Sequence, residues 1–110
     1  MEKIEIKNAK RDMRKGLLEF TVLLIISRGK VYASEIIEKL KSADLIIVEG
    51  TLYPLLSRLK TDGLLKYNWE ESPAGPPRKY YELTDEGQNY LKLLRESWES
   101  LNNSLKSLIG

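Results

Sequence analysis

The chain has 110 residues, 42% of them hydrophobic and 31% charged, with a formal net charge of +2. A length of this order supplies one small domain with a modest core and no deep substrate cleft, which argues against catalysis. With no His and no Cys, the chain cannot build a Ser-His-Asp or Cys-His nucleophile, the usual zinc sites or a disulfide framework, so no metal or cofactor is expected.

The N-terminal stretch "MEKIEIKNAKRDMRKG" carries acids and lacks a signal-peptide core. The longest apolar run, Phe20 to Ile26, is too short to cross a bilayer. A soluble cytoplasmic protein without membrane contact is therefore expected. Residues 1–30 carry eight Lys and Arg against four Asp and Glu, whereas residues 82–110 are net negative. Such asymmetry lets one side meet phosphates while the other does something else, although an ordinary mixed-charge surface accounts for it equally well.

From Ala9 to Ser27 the chain reads as a helix whose second half is apolar nearly all round, so it belongs inside the molecule or between two molecules. Gly29 ends it. "YASEIIEKLKSA" places Ala33, Ile36, Ile37 and Leu40 on one stripe of a second, short helix. "DLIIVEG" is a connector with room for a short extended piece. "TLYPLLSRLKTDG" then carries Leu52, Leu55, Leu56 and Leu59 at the i, i+3, i+4, i+7 spacing of a third helix that stops at Asp62-Gly63.

The face of that helix away from the leucines shows Thr51, Tyr53, Pro54, Ser57, Arg58 and Thr61, where an ordinary solvated face would be mostly Glu and Lys. Pro54 falls early enough for its stranded carbonyl to face solvent or to be met by a slight bend. Beyond it, "LLKYNWEE" alternates Leu65, Tyr67 and Trp69 against Lys66, Asn68 and Glu70, and "RKYYEL" is a second strand. "SPAGPP" between them is too rich in Pro and Gly to be either element, so a hairpin with a mobile, projecting tip is expected. Thr84 caps a last helix from Asp85, with Asp85 and Glu86 at its positive end.

Three helices, a hairpin and a further helix is the order of a winged helix-turn-helix: mostly α, with a small β-hairpin. In that arrangement the third helix packs its leucines inward and offers its polar face to the DNA major groove. The alternative is a helix that packs on both sides within a bundle, but Ser, Thr and Arg make a poor second core.

"TLYPLLSRLKTDGLL" followed by "PPRKYYELTDEG" closely resembles the PadR family of bacterial transcriptional regulators, named after the repressor of phenolic acid decarboxylase. The resemblance covers nearly the whole chain. Leu83 to Gly87 alone, Leu-Thr-x-x-Gly, also occurs in other winged-helix regulators; the upstream Thr-Leu-Tyr-Pro narrows the choice. The short C-terminal region is similar to the branch with a single terminal helix. The resemblance implies a homodimer whose recognition helix and wing meet double-stranded DNA; a repressor is the expected role, with activation the alternative, and two recognition helices joined in a dimer suit a palindromic operator. Carried over by position, the DNA-binding residues are Thr51, Tyr53, Pro54, Ser57 and Arg58 on the helix, and Gly75, Pro76, Arg78 and Lys79 on the wing. Arg78 and Lys79 follow the tip, where they can reach phosphates or the minor groove. Lys30, Tyr32 and Ser34, near the start of the second helix, can fix register through backbone contacts. Tyr53 serves equally well as a packing residue, Tyr80 and Tyr81 suit strand packing, and Glu70 and Glu71 blunt the field of the wing.

Leu91, Leu94, Trp98, Leu101, Leu105 and Leu108 recur at alternating intervals of three and four, an unbroken heptad seam. A seam this long exceeds what a small core can cover, so a second copy of the chain is the natural partner, with Leu17, Phe20 and Leu24 of the first helix completing the interface. Folding back on its own domain is the other option for this helix. The division expected is a DNA-binding domain over residues 1–83 and a dimerisation helix over 84–110. An indole at a seam position is bulky for tight two-stranded packing and can leave an apolar gap for a flat molecule. "ESWESL" resembles the tryptophan-bearing segment of PadR-like proteins that take planar drugs or phenolic compounds, which makes Trp98 a candidate ligand residue; a purely packing role fits equally. Against the regulator stands one other class, a winged-helix module that binds protein and never reads DNA. Such modules usually lack a polar recognition face and a basic wing.

Overall fold

The computed structural model describes residues 6–45, 47 and 49–110. In chain order the elements are α1 (Ile6–Ile26), β1 (Val31–Tyr32), α2 (Ala33–Ser42), α3 (Glu49–Thr61), β2 (Leu65–Ser72), β3 (Gly75–Leu83) and α4 (Asp85–Ile109). This is the mostly helical winged architecture expected from the hydrophobic periodicities. Three features differ from the expectation, each for a local reason.

First, α1 begins three residues earlier than Ala9. Second, the sheet has three strands in the order β1-β3-β2, because Val31 and Tyr32 pair antiparallel with Tyr81 and Tyr80. Two residues are too few to show alternation, so the strand leaves no periodic trace. Third, the hairpin tip is not a loose loop. Ladder pairing runs as far as Ser72 opposite Gly75, and only Pro73 and Ala74 turn. The register slips between Glu70 and Ser72, so that Glu71 alone opposes Pro76 and Pro77. A bulge of this kind suits two residues that have no N–H to give to a ladder. Of the connector 44–50, where a short extended piece was expected, Glu49 and Gly50 already belong to α3, and Ile46 and Val48 lie outside the described residues.

The core is built where the stripes converge. Val22, Leu23 and Ile26 of α1, Ile36 and Leu40 of α2, and Leu52, Leu56 and Leu59 of α3 are fully buried, closed below by Leu65, Tyr81, Leu83 and Leu91. Side-chain burial at this level stabilises by roughly 1.5–3 kcal/mol per large aliphatic residue before entropy is charged against it.

Helix ends are closed by hydrogen bonding. After α2, Asp44 takes φ 60°, the Leu45 N–H donates to the Leu40 carbonyl at 2.7 Å, and the Asp44 N–H to that of Lys41 at 3.0 Å. That is a Schellman turn with aspartate where glycine is usual. After α3 the same turn uses Gly63, φ 80°, with the Leu64 N–H donating to the Leu59 carbonyl at 3.0 Å. Pro54 lies inside α3 without ending it; the carbonyl it leaves unbonded belongs to the exposed Gly50, where water can reach it.

The Leu-Thr-x-x-Gly segment has a mechanical explanation. The Thr84 hydroxyl accepts from the Gly87 N–H at 3.0 Å, capping α4, and donates to the Gly63 carbonyl at 2.6 Å. The Thr84 N–H bonds the Leu64 carbonyl at 3.1 Å. Gly87 lies so close that a Cβ there would collide with the Leu64 carbonyl oxygen. The end of α3, the start of β2 and the start of α4 thus meet at one joint.

From that joint α4 packs on α1 and β3 through Leu91 and Leu94, then continues past the domain. Its 25 residues give the molecule a long axis of 56 Å against 34 and 23 Å.

Candidate nucleic-acid interface

On α3, Leu52, Leu56 and Leu59 face inward, and Thr51, Tyr53, Pro54, Ser57 and Arg58 are exposed. The outward face is therefore the polar one expected. Its two flanks differ. At 100° per residue Tyr53 and Lys60 lie toward the sheet, whereas Thr51 and Arg58 lie toward α1.

On the sheet flank, Tyr53 joins Tyr32, Ala33, Ser34, Trp69, Arg78, Lys79 and Tyr81 around a groove of about 310 Å³. Strand alternation sets which side chains meet there. Lys79 lies opposite Trp69, and Tyr81 opposite Tyr67, on one face of the sheet. The Lys79 ammonium consequently sits 4.1 Å from the Tyr67 ring centre and 5.7 Å from those of Trp69 and Tyr81. Burial pushes the Tyr81 phenol above its ordinary range, with the neighbouring Tyr53 adding to the shift.

The other face of the sheet carries Tyr32, Tyr80, Arg78 and Glu70. The Arg78 guanidinium lies 3.9 Å from the centre of the Tyr32 ring, and its Nη2 donates to the Ser34 hydroxyl at 3.3 Å. Lys30 Nζ is 3.0 Å from Glu70 Oε2 and 4.6 Å from the Tyr80 ring centre. Hydrogen bonding to Glu70, reinforced by its charge, raises the Lys30 ammonium above the usual lysine range. The same bond, with a second from Tyr32, holds the Glu70 carboxyl below the usual carboxylate range. Desolvation first, then Glu70, raises the Tyr32 phenol. Glu70 thus does more than blunt the field of the wing, since it orders Lys30 and Tyr32 beside Arg78.

The structure brings Tyr32, Ser34, Tyr53, Arg78 and Lys79 to one groove, with Lys30 at its edge. Gly75 and Pro76 are exposed at the turn. Arg58 stands apart: its Nη1 and Nη2 are each 3.4 Å from Glu19 Oε1 of α1, and Nη1 is 3.6 Å from Asp62 Oδ2. Tyr67, Trp69, Tyr80 and Glu70, which hold the wing cations, were not among the residues expected to form the interface. The period-two register of 67 and 69 against 81 and 79 is the signal that finds Tyr67 and Trp69, and that of 70 against 78 finds Glu70.

The apolar residues assigned to a partner fall into two groups. Leu91 is buried in the chain's own core, and Leu94 packs against it. Leu17, Phe20 and Leu24 are half-buried on α1. The Phe20 and Trp98 rings are 6.5 Å apart. Trp98 is 37% exposed, and Leu101, Leu105 and Leu108 are exposed in turn, the last at 82%. Among the described residues no helix is long and apolar enough to cross a membrane.

A helix-turn-helix with a polar third helix and a cation-bearing hairpin is the form of a winged-helix regulator. The sequence profile of the PadR-like transcriptional regulator family matches residues 22–93, and the chain belongs to that family. Solved structures agree. The chain is 54% identical to a PadR-like transcription factor from Bacteroides fragilis, covering 92% of this chain and 98% of that one, with a TM-score of 0.77. It is 32% identical to a PadR family regulator from Eggerthella lenta, covering 94% and 91%, with a TM-score of 0.86. To a PadR-like regulator from Bacillus cereus it is 36% identical, covering 89% and 96%, with a TM-score of 0.80. It is also 29% identical over 90 residues to an uncharacterised protein of Lysinibacillus sphaericus. The family consists of DNA-binding regulators and not enzymes, which places the chain in transcription regulation.

Proposed function

We propose that the chain is a homodimeric repressor in the cytoplasm that reads a palindromic operator with α3 and the wing, and is released by a planar aromatic compound. The carrying observation is the groove in which the exposed edge of α3 at Tyr53 adjoins Arg78, Lys79 and Ser34. An inserted helix can present Thr51, Ser57 and Arg58 to base edges while the wing cations meet phosphates.

The dimeric part of the reading is supported by the apolar seam. From Trp98 to Leu108, α4 exposes leucines at heptad spacing that its own domain leaves uncovered, in line with half-buried Leu17, Phe20 and Leu24. Contiguous exposed apolar surface of this kind favours burial against a second copy, with residues 84–110 serving as the dimerisation helix. Two copies joined there would set two recognition helices about 34 Å apart, one turn of DNA. The ligand is supported by Trp98, whose ring lies 6.5 Å from that of Phe20 at a tilt of 39° and which is 37% exposed.

Selection of bound sequences from random DNA, together with sedimentation at micromolar concentration, tests this reading. A palindromic consensus and a dimer are expected. Equal affinity for selected and scrambled duplexes at ~150 mM salt, or a monomer, would overturn it.

A further inference from the structure

On the flank of α3 away from the wing, Thr51 shares a groove of about 500 Å³ with the N-terminal half of α1, floored by Leu18, Leu45 and Ile47 and rimmed by Arg11, Arg14 and Lys15 together with one acid, Asp12. At 100° per residue Lys10, Arg11, Arg14 and Lys15 fall within a sector of about 140° around the axis of α1, with Asp12 outside it. All four are exposed. Among the described residues, Arg11 pairs with Asp12 at 3.7 Å, and Arg14 and Lys15 have no ion pair.

This arrangement works against the helix that carries it. Lys10 and Arg14, and Arg11 and Lys15, are like charges at i, i+4, and Arg11 and Arg14 are like charges at i, i+3; such pairs repel. The first turn of α1, where anions are favoured, holds no acid to offset them. A cluster that costs its own helix stability calls for negative charge from outside.

We infer that Arg11, Arg14 and Lys15 form a second phosphate-binding surface, which holds the DNA backbone on the edge of the major groove opposite the wing. The inference rests on the proposed reading of α3 as the groove-inserted helix. A helix lying in a major groove about 12 Å wide has a sugar-phosphate strand on either side. The wing, with Arg78 and Lys79, lies along one flank of α3 at Tyr53. The α1 cluster lies along the other, across a shared groove from Thr51. The recognition helix is thereby straddled by cations, and the α1 side supplies the backbone contacts that fix its depth and tilt.

The test uses the full chain with Arg14→Gln and Lys15→Gln together, against the palindromic duplex returned by selection and a scrambled one of equal length. Removing the charges relieves repulsion within α1, so the thermal midpoint is expected to hold or rise, which separates the effect from misfolding. The slope of log affinity against log salt is expected to fall by about 2 per chain, at roughly 0.9 for each phosphate contact, equally on both duplexes. Hydroxyl-radical protection is expected to fade on one edge of the groove, while Lys79→Ala removes protection on the other. Arg14→Lys with Lys15→Arg should restore the slope. An unchanged slope and footprint, with Lys79→Ala still active on both, overturns this inference alone. Absence of any duplex binding by the wild-type chain overturns the regulator reading and this inference with it. If the double variant instead loses its dimer, the cluster serves a second copy of the chain and not DNA.

Discussion

The Lys79 ammonium stands 4.1 Å from the centre of the Tyr67 ring, its diagonal neighbour across the β2–β3 ladder. An aromatic face holds a cation without removing its charge or stripping its outer hydration. The lysine is thus positioned on the wing and still available to a phosphate. Lys79→Ala is expected to weaken selected and scrambled duplexes alike and to lower the salt slope by about 0.9 per chain, measured by anisotropy titration at several salt concentrations.

Arg58 is held on the α1 side by Glu19 and Asp62 in the free protein. Exposed pairs of this kind contribute ~0–1 kcal/mol each, less than the roughly 1–3 kcal/mol of a good base contact. Exchange of the carboxylates for a base edge is therefore favourable. Arg58→Ala is expected to cost about 1–3 kcal/mol on the selected duplex and to relax preference at one half-site position. Competition against single-position variants of the duplex reads this. Glu19→Gln, which removes one restraint, should tighten binding; weaker binding would show that the pair orients Arg58 for DNA.

Glu70 orders Lys30 and Tyr32 while adding a negative charge beside the wing. Its lowered carboxyl contributes stability above the unfolded-state value, lost as pH falls through the folded one. The raised Lys30 ammonium contributes below its unfolded-state value, and that is lost as pH rises through the folded one. Across neutral pH the pair is constant. Glu70→Gln is expected to raise affinity for any duplex at pH 7 and steepen the salt slope by about 0.9 per chain. Acidifying the wild type far enough to protonate that lowered carboxyl should free Lys30 in the same way.

Thr84 and Gly87 close the joint between α3, β2 and α4. Thr84→Ala should cost about 0.5–2 kcal/mol, the range for loss of an N-cap. Gly87→Ala should destabilise despite alanine's advantage of ~1 kcal/mol in a helix interior, because the new methyl meets the Leu64 carbonyl. Urea midpoints at unchanged m-value measure both. A more stable Gly87→Ala variant would show that the joint can open without penalty.

The Phe20 ring lies 6.5 Å from that of Trp98 at a tilt of 39° within the chain, and Trp98 is 37% exposed. In a Trp69→Phe background, a planar aromatic ligand at the other face should quench Trp98 emission and lower operator affinity. Trp98→Ala should abolish both effects and leave DNA binding nearly intact, since Leu101, Leu105 and Leu108 remain. Monomerisation of that variant would identify Trp98 as a packing residue.

The helices were legible because Leu52, Leu56 and Leu59, or Ile36 and Leu40, repeat at the helical period and end at caps such as Thr84 and Gly63. β1 was not legible, since two residues carry no period and Val31 acquires its strand geometry only by pairing with Tyr81. Pro76 and Pro77 concealed the continuation of β3, because loop composition dominates any local reading and only the bulge at Glu71 accommodates them. At the interface, the exposed residues of α3 followed from periodicity. The Glu19 partner of Arg58 did not: it lies 39 positions away in the chain, and tertiary packing alone brings the two together.

The joint at Leu64 and Gly87 also makes α4 a lever arm. The helix is 25 residues long, about 37 Å at 1.5 Å per residue, and it springs from the same hydrogen-bonded knot that terminates α3. A sideways movement of ~3 Å at its far end corresponds to a rotation of only about 5° at the fulcrum. Because Thr84 bonds both the Gly63 and the Leu64 carbonyls at that knot, an angular change of α4 would bear first on the end of the helix that carries Tyr53 and Ser57.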